Sequence, residues 1–279
     1  MSPVYIIKAS GERELWDSRK LERSLLAAKA ERGLAQEIVR HIEKDLKDGL
    51  RTSDIYRHAF TLLKRYDRPI AAEYSLRKSL AELGPSGFPF ERFVAKLLET
   101  QGYKTRVGTT VHGACVEHEV DVVAEKNDER ILVEAKFHNS SEIKSDVKVA
   151  LYVSARFADI AKKLEREDVS ARFTHAWLIT NTNFTSQAIK YGTCAGLALT
   201  GWNYPKGRTL QDLIQETQTH PLTCLTTLTT SQKNRLLSDN IVLCRDIVND
   251  TSTLSRIGMN KARIAAVVKE GERLCPVTI

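Results

Sequence analysis

The chain has 279 residues, with 42 Lys and Arg against 35 Asp and Glu for a net charge of +7, 42% hydrophobic and 28% charged. Such usage excludes collagen-like repeats, a coiled-coil rod and wholesale disorder. No apolar run reaches the ~20 residues that span a bilayer, and the start does not read as an export signal, so a cytoplasmic protein with no membrane partner is expected.

Turn-forming clusters at Gly84-Pro85-Ser86-Gly87 and Asn203-Tyr204-Pro205-Lys206-Gly207 divide the chain into units 1–84, 85–206 and 207–279. Residues 1–84 hold 17 basic and 13 acidic side chains and residues 206–279 hold 10 and 7, so the basic excess sits at the two ends and suits a polyanionic partner. Five dispersed cysteines with no C-x-x-C pair indicate neither a zinc knuckle nor a disulfide framework.

In the first unit, Val4 to Lys8 reads as a strand, Ser10-Gly11 as a turn and Glu14 to Trp16 as a second strand. Asp17 or Ser18 caps a helix carrying Leu21, Leu25 and Ala28. Ile38, Ile42 and Leu46 mark a second helix, Thr52-Ser53-Asp54 cap a third, and Ala71 to Leu83 form a fourth. The run I-I-K-A-S-G-E-R-E-L-W-D-S-R-K-L, with R-T-S-D-I and A-A-E-Y-S-L-R-K after it, resembles the ATP-cone, a regulatory nucleotide-binding module. That resemblance covers nearly all of residues 3–83 and implies that Lys8, Glu14, Lys20 and Thr52 contact ATP or dATP, with the lysines as point charges for phosphate. Ala9 and Ser10 depart from the usual V-x-K-R-D-G opening. No Walker A motif is present, so the nucleotide is expected to be sensed rather than used as motor fuel.

In the second unit, Phe90, Phe93, Val94, Leu97 and Leu98 recur at helical spacing in an amphipathic helix that ends at Gly102, with Glu91 in its first turn. Two strands follow, Glu119 to Ala124 and Arg130 to Phe137, joined as a hairpin through Lys126 to Glu129. Alternation puts Glu134 and Lys136 on one face, and the neighbouring strand brings Asp121 close to Glu134. Two carboxylates held that close call for a proton or a divalent cation between them, and an oxygen-rich site suits Mg²⁺ or Mn²⁺. Phosphodiester hydrolysis also needs charge stabilisation at the phosphate, which a lysine two residues on supplies. His112, His118 and His138 lie nearby without ligand spacing on one face. Val147 to Leu164 reads as a helix, Ala176 to Thr180 as a buried strand, Thr185 to Gly192 as a helix and Ala195 to Thr200 as a further strand, with Trp177 and Trp202 as packing residues.

Asp-(x)n-Glu-x-Lys on adjacent strands is similar to the PD-(D/E)xK nuclease signature. The stretch from F-E-R-F-V-A-K-L-L-E-T-Q-G-Y through E-V-D-V-V-A and V-E-A-K-F-H to H-A-W-L-I-T-N-T-N-F resembles the catalytic domain of Mrr-type restriction endonucleases and, more loosely, archaeal Holliday-junction resolvases. The resemblance implies a restriction endonuclease-like α/β sandwich in which Asp121 and Glu134 hold metal, Lys136 assists water and phosphate, and Glu91 supports the site from its helix.

The third unit reads as all helix. T-L-S-R-I-G-M-N-K-A-R-I-A-A-V-V resembles a helix-hairpin-helix whose turn is Ile257-Gly258-Met259, implying DNA phosphate contacts at Gly258, Lys261 and Arg263. The expectation is therefore an α/β protein: a cytoplasmic, metal-dependent DNA endonuclease whose activity or homo-oligomeric assembly responds to bound nucleotide. The alternatives are a nucleotide-responsive DNA-binding regulator and a junction-binding module without cleavage.

Overall fold

A computed structural model describes residues 3–8, 10–140, 142–164 and 172–275. The first unit opens on β1 (Tyr5–Ile7) and β2 (Arg13–Leu15), paired antiparallel. Ala9, one of the two departures in the intervening turn, lies outside the described residues. Helices α1 (Ser18–Ala27) and α2 (Arg32–Lys44) follow. Asp17 caps α1 by accepting from the Arg19 N–H at 3.1 Å. A short β3 (Leu50–Arg51), which sequence reading missed, adds parallel to β1 and completes a three-stranded sheet.

Helix α3 (Thr52–Tyr66) then starts on an uncapped Arg51, so the expected Thr52-Ser53-Asp54 cap is instead its first turn. The chain reaches α3 extended from β3, leaving Thr52 already helical. The single helix expected over Ala71 to Leu83 is two, α4 (Arg68–Tyr74) and α5 (Leu76–Ala81), broken at Ser75, whose hydroxyl donates to the Ala72 carbonyl at 3.0 Å. Asp67 caps α4 ahead of Pro69.

In the second unit, α6 (Phe88–Thr100) buries Phe90, Phe93, Val94, Leu97 and Leu98 completely, each contributing roughly 1.5–3 kcal/mol of burial. The sheet it packs on runs β10-β8-β6-β5-β4, from β4 (Lys104–His112), β5 (Glu117–Lys126), β6 (Glu129–Lys136), β8 (His175–Thr180) and β10 (Ala198–Thr200). Strands β4, β5 and β6 are antiparallel and β6, β8 and β10 parallel, so the sheet is mixed. The β5–β6 turn is tight, with Asn127 at φ 51°. Edge strand β4 went unread because none of its residues is fully buried, half of its inward positions are threonines (Thr105, Thr109), and Gly108 interrupts it. The small pair β7 (Lys144–Ser145) and β9 (Asn183–Phe184) lies apart, and α7 (Val147–Leu164) and α8 (Ser186–Cys194) cover the face opposite α6. The result is a helix–sheet–helix sandwich with a mixed central sheet.

The last unit holds α9 (Leu210–Thr217), α10 (Thr230–Ser238), α11 (Cys244–Asn249), α12 (Ser252–Arg256) and α13 (Lys261–Leu274). These helices do not hang free. Leu210, Leu213, Leu236, Ile247, Val267 and Leu274 share one buried core with Leu76, Leu80 and Leu83, with α6, and with the sheet residues Val122, Val133 and Ala135. The cuts read from the sequence near 85 and 206 thus cross continuous packing. Ala71 belongs to the core of the first unit and Ala72, its neighbour on α4, to the larger one.

A polar clamp reinforces this junction. Glu73 Oε1 meets His220 Nε2 at 2.8 Å and Lys29 Nζ at 3.3 Å, and Gln215 Nε2 donates to Glu73 Oε2 at 3.3 Å. Burial opposes ionisation of both Glu73 and His220, but the contacts with His220 hold Glu73 down at about 2, and those with Cys275 and Glu73 raise His220 to about 9. All five cysteines are free. No described helix is long and apolar enough to cross a membrane.

Candidate active site

Strand β5 bends at Asp121. The β4–β5 ladder keeps one register from Lys104↔Glu125 to His112↔Glu117 but omits the Gly108–Asp121 position, where Gly108 has φ +60°. The β5–β6 ladder stops at Val122↔Val133, one step short of Asp121 and Glu134. Side-chain faces slip at the same place: Val120 packs on the α7 side, Val122 and Ala124 on the α6 side. Asp121 occupies the gap, and its Oδ2 accepts the Ala135 N–H at 2.7 Å. A strict two-residue alternation, as read from the sequence, cannot show such a bend.

On β6, Ile131, Val133 and Ala135 face α6, which turns Glu134 and Lys136 toward α7. There Arg156, mostly buried, places Nη1 2.5 Å from Glu134 Oε2, stands over the Tyr152 ring at 4.5 Å and donates from Nη2 to the Tyr152 hydroxyl. Glu91 reaches in from the first turn of α6, with its Oε1 3.4 Å from where a Cβ on Gly87 would stand.

Electrostatics bind these groups into one site. Burial, then the charge of Asp121, pushes Glu134 up to about 7; burial, then Asp121 and Glu119, pushes Glu91 up to about 7; burial also raises Asp121. The structure therefore gathers Glu91, Asp121, Glu134 and Lys136 where the middle of β5 meets the C-terminal end of β6. The three carboxylates do not close to within 4.8 Å of one another as a set. Arg156 holds Glu134 instead.

The donor set fits a hard divalent cation. Asp121 keeps one oxygen beyond its bond to Ala135, Glu134 is paired with a guanidinium, and three acidic groups are crowded enough to resist ionising together. Sequence reading missed Arg156 and Tyr152. The signal was present: Arg156 falls in the buried stripe Ala150, Val153, Ile160 and Leu164 of α7, and a cation there requires an anionic partner.

Of the three nearby histidines, His118 pairs with Asp159 at 2.8 Å and His138 with Ser145 at 3.0 Å. Trp177 donates to Thr200 Oγ1 at 3.1 Å, and Trp202 is buried.

The residues expected at a nucleotide gather in part. Lys8 lies 3.3 Å from Glu14, and Lys20 pairs with the same carboxylate. The β1–β3 ladder ends at Ile7↔Arg51, so Lys8 and Thr52 each follow the last paired residue of their strand. Elsewhere on α3, Tyr56 lines a cleft of about 600 Å³ together with Tyr74, Arg77, Lys78, Asn139 and Trp202, and none of Lys8, Glu14, Lys20 and Thr52 lines it. At the far end, Gly258 adopts φ +82° between α12 and α13, and Lys261 and Arg263 are exposed in the first turn of α13.

Residues 84–201 match the restriction endonuclease family of the Mrr catalytic type, and residues 220–275 match the AF1548-like C-terminal family. An uncharacterized protein of Archaeoglobus fulgidus is 36% identical over 182 residues, which are 65% of this chain and 99% of that one. The crystal structure of a protein of unknown function, AF1548, superposes with a TM-score of 0.56 at 34% identity, covering 68% of this chain and 98% of the other.

Proposed function

This chain belongs to the AF1548-like family built on a restriction endonuclease-like domain, and from that membership we propose that it is a metal-dependent DNA endonuclease. The observation that carries the reading is the bend at Asp121, which sets that carboxylate beside Glu134 and Lys136 with Glu91 facing them. Asp121 and Glu134 would hold Mg²⁺ or Mn²⁺, and Glu91 would add charge from the helix. When bound, the cation supplies Lewis acidity and an acidified water. Asp121 is oriented for its part by the Ala135 N–H. Lys136 presents an ammonium to the phosphate, where negative charge grows during attack. Arg156, released from Glu134, is free to follow the same charge.

We extend the proposal to the ends of the chain. The first unit binds ATP or dATP, with Lys8 and Lys20, now both paired to Glu14, as the charges for phosphate, and the separate cleft of Tyr56, Tyr74 and Lys78 is the space open to a base. Support comes from the cleft volume, which lies within the usual range for ligand pockets, and from Tyr56 Oη, buried there without a hydrogen-bond partner among the described residues. The turn at Gly258, with Lys261 and Arg263, contacts DNA phosphate.

Incubating the purified protein with circular duplex and with branched DNA, with and without Mg²⁺ or Mn²⁺, tests the central reading. Cation-dependent nicking that disappears in Lys136→Ala supports it; cleavage without added cation, or none with any substrate, removes it. Titrating ATP and dATP into wild type and into Tyr56→Ala tests the nucleotide site separately.

A further inference from the structure

We propose that His41, Asp45 and His58 form a second metal site, specific for a Zn²⁺-class transition ion and distinct from the carboxylate site of the nuclease sandwich. His41 sits in the last turn of α2 and Asp45 four residues on, at the residue that ends the helix, while His58 projects from the facing α3. One ligand atom from each can be chosen so that all lie within 4.8 Å of one another. The two imidazoles meet edge to face with centroids 5.3 Å apart. Among the described residues none of the three side chains makes a hydrogen bond or ion pair, so three coordinating groups converge without satisfying one another.

The donor chemistry selects the ion. Two imidazole nitrogens and one carboxylate oxygen suit Zn²⁺, with Co²⁺ and Ni²⁺ as close mimics, whereas Mg²⁺ and Ca²⁺ favour oxygen ligands throughout. A tetrahedral ion with ligands at about 2.0–2.2 Å needs its donors closer than they stand here, a distance that side-chain rotation closes. The helices beneath are fixed, since Ile38, Ile42, Ile55 and Ala59 lock α2 to α3 in the core of the first unit. His41 and Asp45 are exposed and His58 half-buried, which leaves an entry path and room for water at the fourth position. The ion would tie α2 to the helix that carries Thr52 and Tyr56.

The test uses full-length protein with Zn²⁺ alone as ligand, by calorimetry and thermal unfolding, and Co²⁺ as a spectroscopic probe. One equivalent should bind at micromolar concentration or tighter and raise the melting temperature. His41→Ala and His58→Ala, with folding checked by circular dichroism, should each weaken that binding at least about ten-fold, as should Asp45→Asn. Bound Co²⁺ should show ligand-field bands without thiolate charge transfer. Affinity unchanged in the histidine variants, or binding only at millimolar Zn²⁺, overturns the proposal. A thiolate band overturns it too, because it would place the ion at a cysteine, the exposed Cys115 and Cys194 included.

Discussion

Arg156 and Glu134 form an ion pair 2.5 Å apart inside the sandwich, each side chain at most 13% exposed. If Glu134 holds a cation as proposed, that cation and the guanidinium compete for one charge. Breaking a buried pair from one side leaves the other charge stranded, at about 3–5 kcal/mol. Arg156→Met should therefore lower metal-free stability by that order in urea unfolding, and saturating Mn²⁺ should recover much of the loss. A deficit untouched by Mn²⁺ would mean that the cation does not replace the guanidinium.

Glu134→Gln and Asp121→Asn remove metal charge and leave the basic surfaces at both ends of the chain. Cleavage should fall by about three orders of magnitude or more, since a catalytic cation supplies several kcal/mol. DNA affinity in Ca²⁺, measured by anisotropy, should change little. Parallel loss of both would make these residues structural.

Glu134 and Glu91, each pushed up to about 7, are largely protonated in acid, and a protonated carboxyl is a poor ligand. Cleavage at limiting metal should therefore rise with pH through about 7, and saturating metal should move the rise to lower pH. Glu91→Gln should remove one proton from the dependence. A profile flat from pH 5 to 8 at limiting metal would contradict this.

His220, raised to about 9, stabilises the fold as a cation. Its contribution is complete below the ordinary histidine value near 6.5 and fades as pH climbs from there to about 9. Glu73, held at about 2, works at the other end, with its contribution present above about 4.5 and lost as pH falls toward 2. His220→Gln should thus be most destabilising near pH 6 and much less so near pH 9.5, read from melting temperatures across that range.

If the Gly258 turn meets DNA, Lys261→Ala with Arg263→Ala should flatten the log–log salt dependence of binding by about 0.9 for each phosphate that is no longer neutralised. The catalytic rate at saturating DNA should stay the same. An unchanged slope would leave α13 as a packing helix.

The site was legible to the extent that it follows local pattern. Glu91 lies beside an apolar stripe, Glu134 and Lys136 alternate on a strand, and both periods can be read from residue types alone. Arg156 could not be assigned a partner because its bond to Glu134 spans 22 positions, and the bend at Asp121 needs a third strand, β4, whose weakly apolar inward positions and central Gly108 hid it. The divisions near 85 and 206 mark turns that are real locally. The packing of Leu210 and Leu274 against Leu80 and α6 is set by tertiary structure, which composition does not record.

The helix α4 is a shared beam: Ala71 is held by one core and Ala72 by the next, with Glu73 pinned to His220 beyond them. Any excision or graft that exchanges the first unit must therefore choose its seam at Asp67, where a capped helix begins, rather than at the glycines near 84. Cut at the glycines, the remainder would lose Leu76, Leu80 and Leu83 and present their vacated apolar grooves to water, a surface prone to aggregation.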